Sequence, residues 1–70
     1  MLNAAYLEAK IERSGLAVPE ILQELGLKHE ETLTKQLRAG TIKISRLERL
    51  IELLKLTDLE AAYALGDINV

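Results

Sequence analysis

Between Pro19 and Leu37 the sequence reads PEILQELGLKHEETLTKQL, two apolar stripes at helical spacing with a glycine between them. Ile21, Leu22 and Leu25 share one side of the first stretch, and Gly26 stops it. Leu33 and Leu37 lie one turn apart in the second, flanked by His29 and Gln36. Proline in a first helical turn and glycine just past a helix end are where each residue is tolerated best. Helices of about two turns cannot bury such stripes alone, so the flanking segments must supply the rest of a core.

That core has to be aliphatic. The 70 residues include 15 Leu and 6 Ile but no Phe, Trp or Cys, so neither a disulfide nor a thiolate metal site can brace it. A chain of this length makes one domain, here taken as residues 1–70, and buries only about 60% of its unfolded surface. Chains this small often gain stability by associating. The longest apolar run is the five residues Ala61 to Leu65, and Glu8, Lys10 and Glu12 come early. Neither a transmembrane span nor a signal peptide is expected, and the location implied is cytoplasmic.

Taken in order, Asn3 is a candidate N-cap for a first helix with Ala4, Leu7 and Ile11 as its stripe and Tyr6 at its edge. It ends at Ser14-Gly15, and Leu16-Ala17 leads into the second helix. After the third helix, Ala39-Gly40 breaks the pattern. Thr41 to Ile44 then reads as an extended loop with Ile42 and Ile44 tucked inward. Ser45 with Glu48 fits a capping box, opening a fourth helix with Leu47, Leu50, Ile51 and Leu54 on one face. Thr57 with Glu60 repeats the signal for a fifth helix holding Leu59, Ala62 and Tyr63 and ending at Gly66. The pattern predicts an all-α, five-helix bundle without repeats.

The formal charge of −2 hides a division. Residues 28–49 carry Lys28, Lys35, Arg38, Lys43, Arg46 and Arg49 against three glutamates, whereas the segments on either side are acidic. Lys35 and Arg38 project opposite the Leu33–Leu37 stripe, and with Lys43 they suit phosphate contact. Catalysis needs a convergent set of groups and none is legible. His29 is the only histidine, and Glu30 and Glu31 point to different helix faces. No enzyme activity, metal or cofactor is expected. Leu53, Leu56, Tyr63, Leu65, Ile68 and Val70 exceed what one small core needs, and are expected to form a homodimer interface.

From about Leu7 to Leu59 the chain resembles the Cro and lambda-repressor-like helix-turn-helix family, small regulators of phages, prophages and plasmids. The matching residues are Gly15-Leu16, Leu25-Gly26-Leu27 at the turn, Thr32-Leu33, and Leu37 ahead of Gly40. Ile44-Ser45-Arg46-Leu47, Leu50, Leu53-Leu54 and Leu56-Thr57 match the family's fourth helix and its exit. The resemblance implies a lambda-repressor-like bundle with its helix-turn-helix at about residues 18–38. It also implies binding to double-stranded DNA with the third helix in the major groove. Glu30, Glu31 and Lys35 fall where the family reads bases, and His29 falls at the cap or phosphate position. Lys28, Thr34, Arg38, Thr41 and Lys43 complete the implied DNA-binding set.

Three features depart from the family's pattern. Ala17-Val18 stands where the family carries a Thr-Gln pair whose Gln holds a phosphate. Leu22 replaces a small alanine, and the spacing from Gly26 to Leu33 is one residue longer. A carboxylate can accept from the exposed amino group of cytosine, but two adjacent ones also repel phosphate. The sequence therefore predicts a Cro- or repressor-like transcriptional regulator. The alternative is a degenerate helix-turn-helix protein that acts by pairing with another protein, such as a repressor it modulates.

Overall fold

The computed structural model describes residues 2–66. Among them there are five helices and no strand: α1 (Ala4–Arg13), α2 (Val18–Leu25), α3 (Glu30–Ala39), α4 (Ile44–Leu53) and α5 (Asp58–Ala64). Packing runs through them out of chain order. α1 lies against both α3 and α5, while α2 lies against both α3 and α4.

Local chemistry explains most of the helix ends. Asn3 Oδ1 accepts from the Tyr6 N–H at 3.1 Å, so α1 has the expected cap. Ser14 closes it, its hydroxyl donating to the Ile11 carbonyl and accepting from the Leu16 N–H. Pro19 sits in the first turn of α2, where its missing N–H costs nothing. The Thr57–Glu60 capping box opens α5 with both reciprocal bonds formed.

Three helices close with one device. Beyond α2 the Leu27 N–H reaches the Leu22 carbonyl at 2.8 Å and the Gly26 N–H reaches that of Gln23, with Gly26 at φ 72°. Beyond α3, Thr41 to Gln36 and Gly40 to Leu37 repeat the pair. Beyond α4 it recurs as Leu56 to Ile51 and Lys55 to Glu52. These are Schellman closures, which need a left-handed residue just past the helix. The third places Lys55 there, at φ 53°.

The core is wholly aliphatic, as its composition requires. Leu7, Ile21, Leu37 and Leu50 are fully buried at its centre, with Leu22, Leu25, Leu33, Ile42, Leu47 and Ala64 around them. No polar or charged residue is buried among the described residues. Burying a leucine side chain stabilises by about 1.5–3 kcal/mol, so these few residues supply most of what holds the domain together.

Several sequence expectations are corrected. The Ser45–Glu48 box does not form: Lys43 is the N-cap, without a side-chain bond, and Ser45 lies inside the first turn. Ile42 is buried but Ile44 is 73% exposed. An inward–outward alternation holds only while the chain stays extended, and the chain turns helical at residue 44. Leu59 is 69% exposed, because α5 meets α1 with the side that carries Glu60, Tyr63 and Ala64. Tyr6, at the edge of the α1 stripe, is half-buried in that contact.

Candidate nucleic-acid interface

The closure at Gly26 positions α3. It turns the chain sharply after α2, and three residues after Gly26, His29, in an extended conformation, is the N-cap of α3. The His29 side chain makes no capping bond, and Glu30 and Glu31 supply negative charge to the first turn instead. From there Leu33 and Leu37 face inward, while Glu30, Glu31, Lys35, Arg38 and Ala39 are exposed. The outermost ridge carries Glu31 and Lys35, one turn apart.

An open hollow follows this side of α3. Among the residues expected to touch DNA, it brings together Glu30, Glu31, Thr34, Lys35, Arg38 and Thr41. Lys28, His29 and Lys43 lie outside its lining, all three exposed. Lys28 precedes α3 and Lys43 follows it. Thr41 is held at the exit of α3 by its N–H bond to Gln36. Gln36 itself tucks its Oε1 inward, where that acceptor finds no partner among the described residues.

Ion pairing divides the nine cations unevenly. Lys10 pairs with Glu60 at 2.6 Å, Arg38 with Glu8 at 3.0 Å, and Arg49 with Glu24 and Glu52 at 2.6 and 3.1 Å. Arg46 donates its Nε–H to the Leu25 carbonyl at 3.0 Å, closing the end of α2 from α4. Lys28, Lys35 and Lys43 have no carboxylate within 4 Å among the described residues, and Arg13 and Lys55 share that state. Three of the five unpaired cations thus belong to α3 and the two turns that bound it.

Sequence reasoning missed Glu8. It stands next to the Leu7 stripe of α1, yet only the packing of α1 on α3 shows that it meets Arg38. Three of the six residues expected at a dimer interface are engaged within the chain. Leu53 and Leu56 are half-buried against the core, and Tyr63 sets its ring edge-on to Tyr6 with centroids 4.6 Å apart. Leu65 is exposed, and Ile68 and Val70 lie outside the described residues.

No protein-family model, curated protein or solved structure matches this chain. Among the described residues no helix is long and apolar enough to cross a membrane. No group of three or more metal-ligating side chains converges there.

Proposed function

We propose that this chain is a small cytoplasmic regulator of the Cro and lambda-repressor-like kind, which lays the outer side of α3 in the major groove of double-stranded DNA. One observation carries the reading: the outer side of α3 is left open, and Lys28, Lys35 and Lys43, on it and its bounding turns, have no carboxylate within 4 Å among the described residues. In a chain of net charge −2, free cations gathered about one exposed helix are what a phosphate backbone would select. Lys28, Lys35 and Lys43 take phosphates, while Glu31, on the outermost ridge, meets a base edge.

Two copies act together in this reading, each reading one half-site. The chain measures 32 × 24 × 19 Å, and half-sites of two-fold operators recur about every 34 Å.

Fluorescence anisotropy with labelled duplex fragments of mixed sequence tests the proposal at 50 and 200 mM salt. Lys35→Ala and Lys43→Ala should each flatten the salt dependence by about 0.9 in logarithmic slope. Glu31→Gln should strengthen non-specific binding by removing repulsion, while weakening discrimination at a cytosine. A flat titration to about 100 µM protein, the weak limit of non-specific binding, overturns the assignment.

A second reading, a helix-turn-helix protein that pairs with another regulator, draws on the start of α2. The N-cap there is Ala17, which has no polar side chain to hold a phosphate. The flat titration is the result this reading expects.

A further inference from the structure

Arg38 differs from the other cations of α3 because its guanidinium is already occupied. Nη2–H donates to Glu8 Oε1 at 3.0 Å and Nε–H to Oε2 at 3.4 Å, a two-pronged pairing across 30 residues of sequence. A planar fork meets a carboxylate or a phosphate through the same edge, so that edge cannot serve both. The pair is also open to exchange. The Arg38 side chain is 68% exposed and that of Glu8 30%, and pairs so placed contribute little to stability.

We propose that Glu8 is a built-in competitor for the DNA backbone, holding Arg38 against α1 and withholding its charge from the phosphate footprint of α3. The inference rests on the DNA-binding reading above. It makes α1, which presents none of the expected DNA contacts, a determinant of how tightly α3 binds. While Arg38 stays with Glu8 it releases no counterion from DNA, so the wild-type salt dependence reflects the free lysines. Removing the Glu8 charge frees the fork and adds one phosphate contact.

Four proteins test this: wild type, Glu8→Gln, Arg38→Ala and the double variant, each titrated by anisotropy against a labelled mixed-sequence duplex from 50 to 200 mM salt. Loss of a surface pair should leave all four folded, which circular dichroism checks. Glu8→Gln should bind about fivefold more tightly, the upper end of an exposed pair's contribution, with a salt slope steeper by about 0.9. Arg38→Ala alone bares the Glu8 charge and should weaken binding without steepening the salt slope, and in the double variant the added slope of Glu8→Gln should vanish. An equally steepened salt slope from Glu8→Gln with and without Arg38 would reduce Glu8 to a general negative charge and overturn the proposal. Wild-type binding that is indifferent to Glu8→Gln would sink it while sparing the DNA-binding reading. Absence of binding in both wild type and Glu8→Gln would remove the two together.

Discussion

Lys55 is the one non-glycine residue with a positive φ among those described, and it stands where α2 and α3 each use glycine. The left-handed conformation pushes Cβ toward the following carbonyl oxygen, at a cost of about 1–2 kcal/mol for an ordinary residue. The closure of α4 persists because Leu56, the next residue, packs against the core and its N–H satisfies the Ile51 carbonyl. Glycine would relieve the crowding but lose more backbone freedom on folding, which returns part of the gain. Lys55→Gly should therefore raise stability by about 0.5–1 kcal/mol. Urea unfolding should show a higher midpoint at unchanged slope. A lower midpoint would mean that the lysine stem contributes more than its conformation costs.

The element that depends most on one contact is α5, only seven residues long and bound chiefly to α1. Its attachment is a cluster rather than a leucine stripe. Tyr63 lies edge-on to Tyr6, the Lys10 ammonium sits 5.5 Å from the Tyr6 ring centre, and Glu60 accepts from Lys10 and from the Tyr6 hydroxyl. A backbone bond from the Asn3 N–H to the Ala64 carbonyl at 2.8 Å completes it. The Lys10 bond, joined by one from the Thr57 N–H, lowers the Glu60 carboxyl from 4.5 to about 2. A carboxyl held lower in the folded state stabilises fully above its ordinary value, and that contribution disappears as pH falls through the lowered one. The Tyr6–Tyr63 contact should thus weaken between about pH 4.5 and pH 2, read as loss of ring-to-ring nuclear Overhauser effects. Glu60→Gln can keep the capping box but has no charge to lose, so its contact should not change across that window. Matching acid responses in the two proteins would show that this ion pair does not hold α5.

At the scale of the whole molecule, part of the apolar surplus near the C-terminal end is used within the chain among the described residues. Leu53, Leu54 and Leu56 pack against the core, which leaves Leu59 and Leu65 exposed. If these pair two copies, sedimentation at about 100 µM should report twice the chain mass. Leu59→Lys, at a position too exposed to matter for folding, should return the single-chain value. A clean monomer for the wild type would sink the two-fold arrangement.

What the sequence by itself determined is what acts over four or five residues. Gly26 and Gly40 end their helices because only a left-handed residue lets the next N–H reach back to an orphan carbonyl. Thr57 and Glu60 open α5 through bonds to each other's backbone, and the spacing of Leu33 and Leu37 sets the inward side of α3. The exposed half of the candidate site was legible for the same reason, since Glu31, Lys35 and Arg38 lie opposite that stripe. Only the tertiary structure decided which other surfaces are covered. Ile44 and Leu59 look apolar enough to be core, yet no neighbouring helix covers them. Tyr63 meets Tyr6, and Arg38 pairs with Glu8, across gaps that no local period spans. Periodicity reports which residues share a side of one helix, but burial and ion pairing depend on what chain packing brings against that side.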